Sequence, residues 1–303
     1  MVFLFFTAFL ASSFLARAAD LGTAEHDYPT ATRVPDPMLA DPTHPFFRHR
    51  LMLQAGAAFN KIDSSASVGT ESGTRGTRLS FEDDLGLASS KTAFDALIRY
   101  RVTNRWMIEG EYFDLPRNSS ASTSGTIQFG RLSFPASAAV SADFDIKSIR
   151  LAGGYAFHKS ANAEVGAALS LYVTDFGAAL SGRATLGGLA AGFQSEKYSE
   201  AAPLPTIGLY ANYAITSRWL ASGRLDFTDF NLSSFKAFGY NLEDVSGQVL
   251  SLEASTEYRL TENLGIGIAY RYMDVSMGAT SSGLKGDINY KVSAPMAFVR
   301  GSF

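Results

Sequence analysis

The side chains best suited to chemistry in this 303-residue chain are a run of carboxylates and a few histidines. Glu82, Asp83 and Asp84 are consecutive, and carboxylate oxygens are hard ligands of the kind that Ca²⁺ or Mg²⁺ prefers. Consecutive residues of an extended chain point to opposite sides, however, and the spaced ligands of a calcium-binding loop are missing. We therefore expect a solvated acidic loop without a metal. The similar segment NLEDVSG at 241–247 indicates that this junction between loop and strand recurs.

The four histidines are poorly placed for acid–base catalysis. His26 and His44 lie in a proline-rich segment, His49 lies where the first predicted strand begins, and His158 lies in a predicted short turn. A general base must stand within reach of its substrate with a pKa near neutrality, and no histidine lies near the predicted long loops. We expect no catalytic residue, no cofactor and no enzymatic activity.

The elements that carry the remaining charges are predicted to be β-strands, because apolar and polar residues alternate with a period of two. In the segment AFDALIRYRV, Phe94, Ile98 and Tyr100 share one face, while Arg99 and Arg101 share the other. RLMLQAGAAF and LSLEASTEYRL repeat the pattern. The charged side chains predicted to point inward form a nearly balanced set: Arg99, Arg101, Glu109, Glu111, Arg150, Glu164, Arg224, Asp226, Glu253, Glu257, Arg259 and Arg271.

Short hairpins of one design recur along the chain. The tetrads YRVT, YAFH, YAIT and YRLT each end one alternating run, and the next run follows after a short turn. The two tryptophans follow two of these tetrads at the same spacing and share a face with the tetrad tyrosine. Amphipathic rings at strand ends are typical of a membrane–water interface. The predicted aromatic girdle consists of Tyr100, Trp106, Tyr155, Tyr213, Trp219 and Tyr258.

Long segments rich in Ser, Gly, Ala and Thr join the opposite ends of these hairpins. After the N-terminal region no run approaches the roughly 20 apolar residues of a membrane-spanning helix, and a sheet that crosses lipid must close on itself. We predict an all-β fold, an antiparallel up-and-down transmembrane β-barrel with short periplasmic turns and long extracellular loops. Ten strands are predicted, with eight as the alternative, at about 48–62, 91–102, 105–116, 143–157, 162–177, 203–215, 218–232, 247–260, 263–276 and 287–303.

The N-terminal region is predicted to lie outside the barrel. Residues 1–18 contain an apolar run and end in ARA, the small-x-small pattern of a signal-peptidase site. Residues 19–47 carry closely spaced prolines, which exclude helix and central strand. We predict a signal peptide at 1–18, a Pro-rich periplasmic tail at 19–47 and a barrel at 48–303.

Charge and cysteine content exclude several kinds of partner. The formal net charge is −3, and no basic block of the kind that binds nucleic-acid phosphates is present, so we expect no nucleic-acid partner. The sequence has no cysteine, which excludes disulfides and thiolate metal sites and fits an exported chain.

The last strand resembles a known assembly signal. Phe303 shares an outward face with Gly301 and Val299, as in the terminal β-signal of Gram-negative outer-membrane proteins, while Arg300 points inward. The tight Tyr-x-x-Thr hairpins with Trp resemble the small OmpA-type and OmpW-type superfamily of outer-membrane β-barrels. The resemblance covers residues 48–303. It implies a location in the bacterial outer membrane, contact with outer-membrane lipid, and recognition by the outer-membrane assembly machinery.

Two functions are compatible with these patterns. The first is a structural or surface-interaction barrel whose lumen is closed by ion pairs, because side chains fill narrow barrels. The second is a narrow passive channel, or a binder for a small solute, because Gly166, Gly208, Gly265 and Gly267 are predicted to leave space inside. A soluble lipocalin-like barrel is a third alternative, and the exposure of its outward apolar side chains to water argues against it.

Overall fold

A computed structural model describes residues 44–303, except for gaps at 71–77, 123–126, 130–131, 135–138, 187–188, 195–197, 233–234, 238–239, 243 and 282–283. The predicted signal peptide and most of the predicted tail lie outside the described residues.

Ten long strands form the barrel, which confirms the predicted count; the eight-strand alternative is wrong. In the described residues they are β1 Leu51–Thr70, β2 Ser90–Arg101, β3 Trp106–Ser122, β4 Ala139–Lys159, β5 Ala163–Leu186, β6 Tyr198–Ala214, β7 Trp219–Leu232, β8 Asp244–Arg259, β9 Leu264–Ser281 and β10 Leu284–Ser302. Several of them run further into the predicted loops than the alternation indicated, because hairpin pairing continues beyond the apolar band. Short additional strands lie at Leu79–Ser80, Ile127–Phe129, Leu132–Phe134, Leu189–Gln194, Phe235–Ala237 and Tyr240–Leu242.

Each long strand pairs antiparallel with its neighbours in chain order, and the first and last strands pair with each other. At this seam between β1 and β10, Leu53 lies opposite Gly301, while its other neighbour is Ile98 on β2. β5 and β6 pair along their length, which completes the ring. The structure is therefore a closed antiparallel up-and-down barrel, as predicted, and the closed ladder leaves none of the ten strands at an edge.

The outer face of the barrel is apolar. Large side chains such as Leu169, Ile207 and Ile268 have relative exposures of 69%, 67% and 63%, and they alternate with buried inward residues. A continuous apolar surface of this kind is unfavourable in water but is expected where strands face hydrocarbon. Among the described residues no helix is long and apolar enough to cross a membrane.

The two rims of the barrel differ. Short turns join β2 to β3, β4 to β5, β6 to β7 and β8 to β9, and we call this end the turn rim. Of the other connections, which form the loop rim, four are longer, whereas only two residues separate Ser281 of β9 from Leu284 of β10. In the first of them, residues 79–87 fold inward, and Leu79, Leu85 and Leu87 are buried.

The described end of the predicted tail, residues 44–47, lies inside the barrel at the turn rim. Pro45–Phe47 forms one turn of 3-10 helix whose residues are all buried. The His44 side chain accepts a hydrogen bond from the Phe46 amide at 3.2 Å, and the Phe47 amide donates to the His44 carbonyl at 3.0 Å. Proline at the first helical position fits this turn, because it lacks an N–H that would otherwise need a partner.

Candidate functional site

The lumen is crossed by one connected set of ion pairs, which we call the central charged layer. Its side chains come from β2, β3, β4, β7, β8 and β9, and they point inward because alternate residues of a strand share a face. Its carboxylates outnumber its guanidinium groups by one. The layer consists of Asp95, Arg99, Glu109, Glu111, Arg150, Arg224, Asp226, Glu253 and Arg271.

Glu109 joins three arginines in this layer. Its Oε1 atom lies 2.5 Å from Arg99 Nε, and its Oε2 atom lies 2.6 Å from Arg224 Nη1 and 3.2 Å from Arg150 Nη1. Arg224 also contacts Asp226 at 2.6 Å. Glu109 is buried, so these pairs have little competition from water.

Arg271 organises the other half of the layer. It contacts Asp95 at 3.0 Å and Glu253 at 2.7 Å, and it also pairs with Glu111. Glu111 is bound in turn by Arg150 Nε at 2.7 Å, which links the two halves. Because every ion pair of the layer except Arg224–Asp226 joins two different strands, the layer ties the barrel wall together across its interior.

A second set of ion pairs lies closer to the turn rim. Glu257 is contacted by Arg300 Nη1 at 2.6 Å and by Arg259 Nη1 at 3.1 Å. On another part of the wall, Arg101 pairs with Glu164 at 2.7 Å. These charged side chains are all buried, so a second charged layer separates the central layer from the turn rim.

The segment 44–49 covers this second layer from the turn-rim side. Phe46 and Phe47 pack with Met52, Ala214 and Leu220. The Arg99 guanidinium lies 5.0 Å from the centre of the Phe46 ring, a cation–π contact that links the segment to the central layer.

Both histidines of segment 44–49 are neutral at physiological pH. Burial, reinforced by the nearby Arg259 charge, lowers the pKa of His44 to about 3. The same two causes lower the pKa of His49 to about 4. Charging either histidine is therefore costly while the segment is docked.

The four inward glycines do not leave open space, contrary to the expectation from the sequence. A Cβ atom at Gly166 would overlap the Tyr210 ring, and one at Gly208 would overlap the Asp226 carboxylate. A Cβ at Gly265 would likewise meet Glu257, and one at Gly267 would meet Phe298. The glycines make room for neighbouring large or charged side chains, so they help fill the lumen.

Above the central layer the lumen is mainly apolar. Ile146, Leu204, Val275 and Val292 belong to one buried cluster that also includes Tyr290. A cavity of about 70 Å³ lies between this cluster and the charged layer. An apolar volume with a charged floor has the chemistry of a small amphiphilic pocket.

Loop residues 79–87 lie over this apolar part, and their acidic run is not fully solvated. Glu82 turns inward and accepts from Arg117 Nη1 at 2.5 Å and from the Ser64 amide at 2.8 Å. Asp84 accepts from the Ser80 amide at 2.8 Å, and Asp83 is exposed. The expected solvated acidic loop is therefore wrong for Glu82, because a buried arginine, which extended β3 supplies, draws it into the barrel. The related segment at 241–247 lies partly outside the described residues.

All twelve charged residues predicted to line the lumen take part in these ion pairs. The ion pairs also include three residues that the sequence did not predict to line the lumen: Asp95, Arg117 and Glu82. The alternation around Asp95 did indicate that its side chain points inward. Arg117 was missed because it lay in a segment predicted to be loop. Among the described residues no group of three or more His, Asp or Glu side chains could hold a metal ion.

The girdle residues lie at the turn rim. The ring centres of Trp106 and Tyr155 are 4.8 Å apart across β3 and β4, and those of Trp219 and Tyr258 are 5.0 Å apart across β7 and β8. Tyr100 and Tyr213 are also exposed on the outer face.

The residues of the predicted assembly signal pair with β1. Val299 lies opposite Ala55, and Gly301 lies opposite Leu53. Phe303 exchanges backbone hydrogen bonds with Leu51.

No family model and no curated protein matches the chain. Among solved structures it is similar to the outer-membrane protease OmpT from Escherichia coli, with 10% identity, coverage of 91% of this chain and 100% of that one, and a TM-score of 0.49. It is similar to the outer-membrane protein OprG from Pseudomonas aeruginosa, with 15% identity, coverage of 84% and 96%, and a TM-score of 0.39. It is also similar to the translocator domain of the autotransporter NalP from Neisseria meningitidis, with 11% identity, coverage of 95% of this chain and 98% of that one, and a TM-score of 0.42.

The ten-strand closure, the apolar outer face and the unequal rims give the chain the architecture of the small outer-membrane β-barrels that its sequence resembles.

Proposed function

We propose that this chain is an outer-membrane β-barrel with a closed lumen that has a structural or surface-interaction role and does not conduct solutes. The observation that carries the proposal is the central charged layer, which connects six strands through shared ion pairs. The apolar outer face supports the membrane location, since it requires lipid and not water.

The layer is expected to be a stable barrier because its members depend on one another. Removing one partner of a buried pair leaves an uncompensated charge and typically costs about 3–5 kcal/mol. A passing ion would have to displace Arg224 or Arg271 from two or more carboxylates at once. Closure by several shared contacts is thus harder to open than closure by one pair.

Further obstacles lie on both sides of the layer. Toward the turn rim, Phe46 and Phe47 fill the mouth; toward the loop rim, Leu85 and Leu87 are buried. A hydrated ion crossing the lumen would therefore meet apolar constrictions as well as the charged layer, and dewetted constrictions oppose conduction.

We also propose that the chain is not an enzyme. Of the histidines in the described residues, His44 and His49 are held close to buried arginines at the turn rim. His158 lies at the end of β4, also at the turn rim. A histidine at this rim is far from loops that would meet an extracellular substrate.

A small-solute binder or narrow channel is the second candidate, and the cavity of about 70 Å³ favours it. Its apolar wall includes Phe113 and Met273, and its floor includes Glu111 and Arg224. A solute held there would need an apolar body and a hydrogen-bonding group.

Single-channel recording in planar bilayers tests the proposal. The refolded barrel should give no conductance above background, whereas an Arg224→Ala/Asp226→Ala variant, which removes one charge of each sign from the layer, should show increased conductance. Heat-modifiable migration on detergent gels verifies that both proteins are folded. Reproducible open-channel steps from the unmodified barrel would contradict the closed lumen, and solute uptake into liposomes would favour the second candidate.

A further inference from the structure

Three of the short turns at the turn rim have the same backbone hydrogen bonds. In the turn from Val102 to Trp106, the Val102 amide donates to the Trp106 carbonyl at 2.9 Å. The Ile215 amide donates to the Trp219 carbonyl at 2.8 Å, and the Leu260 amide donates to the carbonyl of the corresponding Leu264 at 2.9 Å. The three turns are thus structural copies of one another.

A threonine builds each of these turns. Thr103 Oγ1 accepts from the Trp106 amide at 3.0 Å, and Thr216 Oγ1 accepts from the Trp219 amide at 3.0 Å. Such side-chain acceptors for local amides are sufficient to hold a tight turn.

The third turn shows that Arg and Trp are not needed for this geometry. Thr261 Oγ1 accepts from the Leu264 amide at 3.1 Å, although Asn263 and Leu264 stand where the other turns have arginine and tryptophan. The repeated Arg-Trp pair at 105–106 and 218–219 therefore needs an explanation other than the turn itself.

In both Arg-Trp turns the tryptophan packs on a tyrosine of the next strand, and the arginine side chain contacts that same strand. One ring of each pair is clearly exposed: Tyr155 of the first pair has a relative exposure of 38%, and Trp219 of the second has 43%. The ring pairs therefore continue the apolar outer face to its edge. Arg218 Nη1 lies 3.4 Å from the Tyr258 hydroxyl. Arg105, which is exposed, donates to the Phe157 carbonyl at 3.2 Å.

We propose that each Arg-Trp-Tyr set, Arg105 with Trp106 and Tyr155 and Arg218 with Trp219 and Tyr258, binds the phosphate of an anionic glycerophospholipid. The occupant follows from continuity, because these sets stand where the lipid-facing surface meets water. A guanidinium group can donate two hydrogen bonds to phosphate oxygens, and the ring pair packs against the glycerol and upper acyl chains. This inference rests on the proposed membrane location.

The two sets would act as paired anchors for the turn rim. They lie on strands β3–β4 and β7–β8, at separate places around the ring. Two anchors at one level fix the depth of the barrel and limit its tilt along the line that joins them, which a single anchor cannot do. The expected preference is for a headgroup without an ammonium group, because such a group would repel the guanidinium.

The protein reports on these sites directly, because Trp106 and Trp219 are its only tryptophans. The barrel is reconstituted in bilayers that contain a minor fraction of phosphatidylglycerol or phosphatidylcholine with brominated acyl chains, which quench tryptophan on contact. We expect the anionic lipid to be enriched about fivefold around the tryptophans relative to its bulk fraction, as for one basic group near a charged surface.

Matched variants separate a site from general charge attraction. Arg105→Gln/Arg218→Gln should lose the enrichment, and Arg105→Lys/Arg218→Lys should recover part of it. Lys61→Gln/Lys147→Gln removes the same charge from exposed positions on the outer face farther from the turn rim and should keep it. Because the turns depend on Thr103 and Thr216, the arginine variants should still fold, which heat-modifiable migration checks.

Equal quenching by the two brominated lipids in the unmodified protein would overturn the proposed site, as would equal losses in the arginine and lysine variants. Absence of quenching by either lipid would overturn both this inference and the membrane location. Conductance of the barrel would contradict only the closed lumen, so the two proposals fail in distinguishable ways.

Discussion

At the scale of single residues, the lumen depends most on carboxylates shared between several arginines. Glu109 contacts Arg99, Arg150 and Arg224, whereas Glu253 has Arg271 as its ion-pair partner in the central layer. A carboxylate that neutralises several buried guanidinium groups leaves more uncompensated positive charge in the lumen when it is removed.

Glu109→Gln should lower the free energy of unfolding by about 3–5 kcal/mol, because it leaves three arginines with less compensation. Urea unfolding from lipid vesicles measures the change. Asp229→Asn is the matched control, since Asp229 is an exposed carboxylate on β7, and its effect should be within about 0.5 kcal/mol. Equal stability of the Glu109 variant and the unmodified protein would mean that the layer does not hold the barrel together.

At the scale of elements, segment 44–49 blocks the opening of the barrel at the turn rim. When the segment is docked, the side chains of Phe46 and Phe47 are buried in an apolar cluster. His44 and His49 lie close to arginines and are held in the neutral form. The alternation rule could not predict it, because the contact is made between the segment and the inside of a barrel that exists only after closure.

The docking of this segment should weaken in acid. The pKa of His44 is about 3 when docked, below its ordinary value of 6.5, so the undocked segment binds more protons between these values. Docking is therefore strongest above about pH 6.5 and is lost progressively as the pH falls toward about 3, by at most about 1.4 kcal/mol per unit for this histidine.

Hydrogen–deuterium exchange at the Phe47 and Arg48 amides, corrected for intrinsic rates, measures this dependence. His44→Gln keeps a side-chain acceptor but has no proton to gain, so its exchange should vary less with pH. Exchange that is independent of pH in the unmodified protein would contradict the predicted coupling.

At the scale of the whole molecule, closure depends on the seam between β1 and β10. The Phe303 amide donates to the Leu51 carbonyl at 2.8 Å, and the Phe303 carbonyl accepts from the Arg50 and Leu51 amides at 2.8 and 2.9 Å. Phe303 thus contributes both backbone pairing at the seam and an outward ring.

Deletion of Phe303 should reduce the amount of protein inserted in the outer membrane, because it removes both contributions. Phe303→Ala keeps the backbone pairing, so a similar reduction in this variant would identify the ring as the assembly signal. Fractionation and heat-modifiable migration measure the inserted protein. Normal insertion of the deletion variant would refute the role of Phe303.

Much of the fold follows from local patterns. The period-two alternation predicted the strands and their number, and the Tyr-x-x-Thr tetrads predicted the tight turns. Parity also selected the charged residues that face inward, because neighbouring side chains of a strand alternate in direction whatever their partners are.

Pairing across the lumen was decided only by the tertiary structure. Sequence alone could not choose Glu109 as the partner of three arginines, turn Glu82 toward Arg117, or fill the space beside Gly166 with Tyr210. These contacts join residues that are distant in the chain, and they depend on barrel radius and register. The sequence by itself therefore determined a membrane-type barrel with a charged interior, while the closed ring of strands decided that this interior is filled.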